Sequence, residues 1–368
     1  MGSNLAQPSR YSRHEVLPEI GSAGQNKLRN ARVLCIGAGG LGSPVISYLA
    51  AAGIGTLGIV DYDRVDRSNL QRQIIHSEST LGELKTDSAF QYISRLNPDV
   101  KINLYSVRLS EYNAIDISKD YDLIIDGSDN FSTRYLVSDV GNILDIPVIW
   151  GSVFKFYGQV SIFHPKIGPC YRCVFPQPPA PGSVPNCSTV GVMGAVCGTI
   201  GSIMATEAIK VIVGMPNTLI STILIYSAED SNFERIKISK NVKCYSCSKP
   251  LEARTLLPSY QDFCGEVIGI TVHDFETKRS INPNLVILDV RRPEEYESGN
   301  IPGSINIPSD DFLNQLLILD LDRDVELVIY CHSGARSRKC IREIEQLGLA
   351  NVSILDGGIL AWNSIVGV

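Results

Sequence analysis

Four of the ten cysteines in this 368-residue chain lie in two Cys-x-x-Cys pairs, Cys170/Cys173 and Cys244/Cys247. Four thiolates presented on two turns can form a closed tetrahedral site, which suits a structural Zn²⁺ ion. Two separate redox pairs, or four free thiols, are the alternatives. The length of the chain and the spacing of its cysteines argue against a secreted disulfide scaffold. The sequence therefore favours one zinc site built from all four cysteines.

Another cysteine, Cys331, begins a short polar loop, CHSGARS, that ends at Ser337. The loop lies between an apolar segment and a predicted helix, so backbone amides and the helix N-terminus would face the thiol. Both features lower the pKa of a thiol and favour a thiolate or a persulfide anion. Arg336 would close the loop with a fixed positive charge. The same sequence also fits the phosphate loop of a cysteine phosphatase, or a tight turn without chemistry.

A glycine-rich segment near the N-terminus predicts a nucleotide site. It reads GAGGLG over residues 37–42, and Gly37, Gly39, Gly40 and Gly42 would let the backbone approach a phosphate. The start of the following helix would supply amide donors and a partial positive charge. Asp61, at the end of the next predicted strand, is placed to bond ribose hydroxyls. This fingerprint alone fits NAD or FAD as well as another nucleotide.

Charged residues downstream of Asp61 favour ATP. Arg72 and Lys85 could stabilise the charge that develops on pyrophosphate when ATP is split between its α- and β-phosphates. Asp129, after a later predicted strand, could hold the Mg²⁺ that ATP carries. A hydride-transfer enzyme needs no such cations, and the alternative is that both are solvated surface charges. The other residues expected at this site are Ser68, Asn69, Leu70, Gln71 and Asn130.

Cys187 follows a proline-rich stretch, Pro176–Pro185. Five prolines in ten residues predict an extended loop on which a thiol could move. The alternative is a small, partly buried residue without chemistry. Cys35 and Cys197 lie in apolar runs and are predicted to be core residues.

The segments that carry these residues alternate between strand and helix. A strand over Ala31–Ile36, a helix over Ser43–Ala52 and a strand over Thr56–Val60 make one βαβ unit. Further strands are predicted over residues 101–104, 122–125, 148–149 and 159–163. We therefore expect an α/β fold with a Rossmann-like, doubly wound and mostly parallel sheet.

The alternation resumes after a stretch without clear periodicity. Strands are predicted over Val286–Leu288, Leu327–Tyr330 and Val352–Leu355, with a helix over Ser337–Gln346. The predicted organisation is an ATP-binding domain over residues 1–248, a linker over 249–268 and a small α/β domain over 269–368.

Composition limits the class of partner. The chain is 44% hydrophobic and 20% charged, and its net charge of −6 argues against nucleic acid as a direct partner. The polar segment Met1–Arg13 predicts no signal peptide. The apolar run Val192–Ala205 is too short and too interrupted to span a bilayer, and it predicts a buried helix. We expect a cytoplasmic protein without a membrane partner.

The first two thirds of the chain resemble the MoeB/ThiF family of adenylyltransferases, relatives of the ubiquitin-activating enzymes. The matching residues are, in order, Arg10–Arg13, the glycine loop, Asp61, Ser68–Arg72, Lys85 and Asp129–Asn130. The resemblance implies ATP- and Mg²⁺-dependent adenylation of the C-terminal Gly-Gly carboxylate of a ubiquitin-like sulfur-carrier protein. It also implies a zinc site at the two cysteine pairs, and a homodimer in which Arg13 reaches the ATP site of the neighbouring subunit.

The last part of the chain resembles the rhodanese family. The resemblance lies in the six-residue loop from Cys331 to Arg336 and in residues 288–291, 301–308, 356–358 and Trp362. It implies a persulfide on Cys331 that transfers sulfur. His332 stands where family members often have Arg, which leaves the donor open between a persulfide-donating desulfurase and thiosulfate.

The whole chain is similar to molybdopterin-synthase adenylyltransferases with a fused rhodanese domain. Those enzymes carry a reactive cysteine at the spacing of Cys187, after the same CVFPQPP context. The implied pathway is adenylation, attack by the Cys331 persulfide, and release of a thiocarboxylate with help from Cys187. A nicotinamide-dependent oxidoreductase and a non-catalytic zinc scaffold remain as alternatives, and the identity of the carrier stays open.

Overall fold

The computed structural model describes residues 10–179, 191–264, 269–322, 324–334, 336–337, 340–341, 344, 347, 349 and 351–366. The chain divides into two units between Tyr260 and Gln261. Residues 249–260, the start of the predicted linker, thus belong to the first unit. Arg254 attaches them to it by donating to the carbonyl oxygens of Asn142 and Cys247, at 2.6 and 3.3 Å. Such contacts leave no periodic pattern in the sequence.

The first unit is built on one eight-stranded sheet with the order β3-β2-β1-β4-β5-β6-β7-β8. The strands from β1 to β5 run parallel, and β6, β7 and β8 continue the sheet in antiparallel pairs. Their bounds are β1 Arg32–Ile36, β2 Thr56–Val60, β3 Lys101–Tyr105, β4 Leu123–Asp126, β5 Val148–Phe154, β6 Tyr157–Phe163, β7 Thr222–Ser227 and β8 Asn232–Lys237. The predicted α/β class and the mostly parallel sheet are confirmed.

The helices of this unit follow the predicted alternation. Their bounds are α1 Ser12–Glu15, α2 Gly21–Asn30, α3 Gly42–Ala52, α4 Lys85–Leu96, α5 Ala114–Ser118, α6 Phe131–Leu144, α7 Tyr171–Val174 and α8 Gly194–Val213. Short 3-10 turns lie at Arg67–Asn69, Glu78–Thr80 and Leu251–Ala253. The central strands are apolar over almost their whole length, as expected for parallel strands with both faces covered.

The helix α8 is the longest described element. By length and composition it is apolar enough to cross a bilayer, but it packs against α3, β5 and β6, and half of its most apolar window is buried. It continues beyond Ala205, where the apolar run of the sequence ends, and includes Glu207. The Glu207 carboxylate accepts from Lys210 Nζ and from the backbone amide of Leu219, so the buried charge is paired. The expected buried helix is therefore present, and it extends further toward the C-terminus than the apolar run Val192–Ala205.

The second unit is a five-stranded, fully parallel sheet with the order β11-β10-β12-β13-β9. Its strands are β9 Gly269–Ile270, β10 Val286–Asp289, β11 Ile305–Asn306, β12 Leu327–Tyr330 and β13 Val352–Leu355. Helix α9, Tyr260–Cys264, spans the division, and the helices that follow are α10 Val272–Ile281, α11 Pro293–Glu297, α12 Phe312–Ile318 and α13 Gly358–Val366. The predicted helix over 337–346 lies partly outside the described residues. The central strand β12 ends immediately before Cys331.

Candidate functional site

The glycine loop lies at the point where the strand order of the large sheet reverses. Chain connections lead from β1 outward to β2 and β3, whereas β4 pairs with the other side of β1. Ligands of such sheets bind in the crevice at the carboxyl ends of these two strands. The loop follows β1, and residues 126–130 follow β4, so the sheet brings both segments to one crevice.

Backbone packing inside the loop requires glycine at two positions. A Cβ on Gly42 would lie 1.9 Å from the carbonyl oxygen of Gly37. Gly37 itself has φ of +89°, in the region that side chains disfavour. Asp61 fixes the loop from outside, because its carboxylate accepts from the amides of Ala38 and Asp63 at 2.8 and 2.9 Å. The loop is therefore held open and free of side chains where a phosphate would approach.

Lys85 is buried at this crevice, with a side chain only 6% exposed. Its Nζ atom lies 2.7 Å from the Asp63 carboxylate. Burial of the ammonium acts against its charge, but the carboxylates of Asp61, Asp63 and, more weakly, Asp129 outweigh it and raise the pKa of Lys85. Burial in turn raises the pKa of Asp61. Lys85 is thus a fixed buried cation, and the alternative of a solvated surface charge is wrong for it.

Arg72 lies beside the loop on the segment that follows the 3-10 turn. Its guanidinium donates to the Ser68 carbonyl at 3.2 Å and to Asn69 Oδ1 at 3.4 Å, and its aliphatic part packs over Gly40. Asn69 Oδ1 also accepts from Gln73 Nε2 at 2.8 Å. Arg72 is half-buried and held by long hydrogen bonds, so its guanidinium keeps donors for a ligand.

The remaining predicted residues lie on the segment before Arg72 and on the segment that follows β4. Asp129 is exposed, and Asn130 caps α6 by accepting from the amide of Thr133 at 2.9 Å. Ser68 is exposed and Leu70 half-buried, while the backbone of Gln71 packs against the start of α8 at Gly194.

Sequence reasoning missed His76. The ring is buried, with its two nitrogens 2.8 Å from Ser88 Oγ and 2.9 Å from the carbonyl oxygen of Ala38. Burial lowers its pKa, so the ring is neutral and links α4 to the glycine loop. A single histidine without a spacing motif offers no signal in the sequence.

The four cysteines of the two pairs meet in the first unit. Their sulfur atoms all lie within 4.8 Å of one another, with separations of 3.8, 3.6 and 3.4 Å along three edges. A tetrahedral site with bonds of about 2.3 Å has edges of about 3.8 Å, so the cluster fits one metal ion with four sulfur ligands.

Helix α6 holds both cysteine pairs in place. Asp139 accepts two hydrogen bonds from Arg172 Nε, at 2.9 and 3.1 Å, and one from Arg172 Nη2 at 2.8 Å. Tyr260 donates to the same carboxylate at 2.7 Å. Asn142, one turn further along, donates to Ser246 Oγ in the second pair at 2.7 Å. These contacts orient the ligands from behind, as polar groups around metal sites do.

Cys331 in the second unit is 1% exposed. Its sulfur accepts from the Gly334 amide at 3.0 Å and from Ser337 Oγ at 3.6 Å. Burial opposes ionisation, but the backbone amide and hydroxyl of Ser337, with further backbone amides of the loop, outweigh it and lower the pKa of Cys331. The loop therefore stabilises an anion on this sulfur, as predicted from the sequence.

The Arg336 side chain forms an ion pair at this loop. Its two terminal nitrogens bond both oxygens of Glu295, on α11, at 2.5 and 2.7 Å. The sequence predicted a fixed positive charge here, but it did not indicate the partner 41 residues away. Asp289 and Arg291 form a second, fully buried pair nearby.

Two predicted residues remain without a described role. Arg13 is exposed on α1. Cys187 lies outside the described residues. Cys35 and Cys197 are buried core residues, as expected, and burial raises the pKa of Cys35 to about 12.

Comparison with known proteins separates the same two parts. Residues 11–247 match the model of the ThiF family, and residues 273–365 match the rhodanese-like domain. Among solved structures, E. coli MccB is similar with a TM-score of 0.59 and 21% identity, over 67% of this chain and 76% of that one. At this identity the likeness concerns the fold.

Relatives at higher identity span nearly the whole chain. The probable adenylyltransferase/sulfurtransferase MoeZ of Mycobacterium tuberculosis is 42% identical, over 96% of this chain and 92% of its own. The adenylyltransferase and sulfurtransferase UBA4 of Meyerozyma guilliermondii is 39% identical, over 99% of this chain and 90% of its own. The adenylyltransferase and sulfurtransferase MOCS3 of Culex quinquefasciatus is 37% identical, over 98% of this chain and 88% of its own. The chain therefore belongs to the ThiF family, as an adenylyltransferase and sulfurtransferase whose ThiF domain is followed by a rhodanese-like domain.

Proposed function

We propose that this enzyme uses ATP·Mg²⁺ to adenylate the C-terminal Gly-Gly carboxylate of a ubiquitin-like sulfur-carrier protein, and converts it to a thiocarboxylate with sulfur carried on Cys331. The observation that carries the first half is the buried, charged Lys85 beside the glycine loop at the strand-order reversal. A hydride-transfer enzyme has no use for a cation held at that position.

In the adenylation step, a carboxylate oxygen of the carrier attacks the α-phosphate of ATP and pyrophosphate leaves. Lys85 and Arg72 face the charge that develops on the phosphates, and Arg13 joins them from the second subunit of a homodimer. Bound Mg²⁺, held by Asp129, would neutralise phosphate charge. The glycine loop and the N-terminus of α3 hold the phosphates, and Asp61 bonds the ribose.

In the sulfur step, the terminal sulfur of a Cys331 persulfide attacks the acyl-adenylate and AMP leaves. The product is an acyl-disulfide between the carrier and Cys331. The Cys187 thiolate attacks the Cys331 sulfur, forms a disulfide with it and releases the thiocarboxylate. A cellular thiol then reduces that disulfide, which favours a cytoplasmic location.

Pyrophosphate exchange tests the adenylation half. With the full chain, exchange of labelled pyrophosphate into ATP is expected only when a carrier with an intact Gly-Gly end is present. Removing the terminal glycine should abolish exchange, because no carboxylate then reaches the α-phosphate. Carrier-independent exchange, or turnover of a nicotinamide cofactor, would contradict the proposal.

We assign the four-cysteine cluster to one structural Zn²⁺ per chain, which would join the two cysteine pairs to each other. Asp139→Asn is expected to lower the free energy of unfolding by about 3–5 kcal/mol, because it leaves the buried Arg172 without its carboxylate. The same change should speed transfer of zinc to a chromophoric chelator. Denaturant unfolding and the absorbance of the chelator provide the two measurements, and elemental analysis gives the zinc content of each protein.

Asp145→Asn, just beyond the end of α6, is the matched control. Asp145 pairs with Lys166 at 3.0 Å, but the lysine side chain is 71% exposed, so the loss should stay below about 1 kcal/mol. Absence of stoichiometric zinc, or equal effects of the two changes, would contradict the assignment.

A further inference from the structure

A cleft of about 380 Å³ lies beside the Cys331 loop in the second unit. Its lining is strongly charged, and it has as many positive as negative side chains. The lining residues are Arg292, Glu295, Pro308, Ser309, Asp310 and Arg336. Two guanidinium groups and two carboxylates thus line one cleft at the Arg336 end of the Cys331 loop.

Two of these opposite charges, those of Glu295 and Arg336, form a tight ion pair. Glu295 and Arg336 bond through two parallel hydrogen bonds, the geometry in which a carboxylate and a guanidinium bind most strongly. Arg336 lowers the pKa of Glu295 to about 2, so the carboxylate stays ionised at any pH at which the enzyme would work. Glu295 also accepts from the backbone amide of Arg292 at 3.1 Å, which fixes it at the start of α11.

The neighbouring cations do not replace Arg336. Arg291 is buried against Asp289, with which it forms three hydrogen bonds from its guanidinium. Arg292 lies exposed at the rim, where water screens its charge. Among the described residues, Arg336 carries the guanidinium that belongs to the cysteine loop itself. Both terminal nitrogens of that guanidinium are bonded to Glu295.

We propose that Glu295 is a specificity-determining residue, which neutralises Arg336 so that Cys331 takes sulfur from a monoanionic persulfide in preference to dianionic thiosulfate. The inference rests on the proposed role of Cys331 as the sulfur carrier, and it names the class of donor.

The two donor reactions differ in charge. In the first, the Cys331 thiolate attacks the terminal sulfur of a persulfide, the sulfur–sulfur bond of the donor breaks, and a thiolate leaves. In the second, the thiolate attacks the outer sulfur of thiosulfate and sulfite leaves as a dianion. Both steps leave a persulfide on Cys331 and balance without an added oxidant. Thiosulfate brings one more negative charge toward Glu295 and Asp310, and it needs the free guanidinium that Glu295 occupies.

The test compares kcat/KM for thiosulfate and for cysteine persulfide, with the full chain and its Glu295→Gln variant. Glutamine removes the charge but keeps the size, so Arg336 is released to bind the anion. We expect kcat/KM for thiosulfate to rise on the order of tenfold. The value for cysteine persulfide should change by less than about twofold, because that donor depends less on the cation.

Asp310→Asn is the charge-matched control, because it removes a carboxylate from the same cleft without releasing Arg336. Its effect on thiosulfate should stay below about threefold. The double variant E295Q/R336A should lose the gain of E295Q. An unchanged or lower value for thiosulfate in E295Q, equal changes for both donors, or equal effects of E295Q and D310N would overturn the proposal. Failure of both donors to place sulfur on wild-type Cys331 would instead overturn the role of Cys331 on which it rests.

Discussion

Replacing Asp129 by Ala is expected to lower carrier-dependent pyrophosphate exchange on the order of a hundredfold or more. Asp129 is exposed just beyond the carboxyl end of β4, and its charge acts on Lys85 across the crevice. Without this carboxylate, the crevice lacks the proposed ligand for the metal that accompanies ATP. The loss should appear in kcat and in the Mg²⁺ concentration needed for half-maximal exchange.

Asp116→Ala provides a control for the removal of an exposed aspartate. Asp116 pairs with Lys119 on the short helix α5, and both side chains are more than half exposed. Its loss should leave exchange within about twofold of wild type. Exchange that persists undiminished in Asp129→Ala would remove the basis for placing the metal at this strand end.

Replacing Cys331 by Ala should abolish sulfur transfer while leaving pyrophosphate exchange intact. The loss should be about a thousandfold or more, because no other described thiol of the second unit lies in an anion-stabilising loop. Cys340, which is 1% exposed in the core of the same unit, provides the control. Cys340→Ala should keep transfer, since a buried core thiol takes no part in it.

Mass spectrometry after treatment with a persulfide donor locates the sulfur. We expect the added sulfur atom on Cys331 in wild type and on no cysteine in Cys331→Ala. Cys187→Ala should keep both exchange and loading of Cys331, and should slow only the release of the product. Sulfur found on Cys187 and never on Cys331 would reverse the assignment.

Local patterns in the sequence predicted the fold where burial is continuous. The strands Thr56–Val60, Leu327–Tyr330 and Val352–Leu355 agree with the structure at both ends, because apolar runs and turn residues bound them. The strand expected over 148–149 extends to Phe154. Its second half is only partly buried and pairs with β6 in an antiparallel hairpin. Because this half contains polar residues such as Ser152, it does not form a continuous apolar run in the sequence.

Motif residues of the candidate sites were visible in the sequence, but their partners were not. The glycine loop, Lys85 and Cys331 stand next to features that a linear pattern records. Glu295 reaches Arg336 across 41 residues, and Tyr260 reaches Asp139 across 121. Such pairs depend on which elements the sheets bring together, so single-residue types carry no signal for them. This is why the sequence indicated the charge of Arg336 but not the carboxylate that pairs with it.

Both proposed activities are tested together by the mass of the carrier after incubation with the full chain, ATP·Mg²⁺ and a persulfide donor. We expect one oxygen of the C-terminal carboxylate to be replaced by sulfur. This replacement should require ATP, Asp129→Ala should reduce it strongly, and Cys331→Ala should block it by this route. A thiocarboxylate that forms without ATP, or that forms undiminished in Cys331→Ala, would contradict the claim that one chain both activates the carrier and delivers its sulfur.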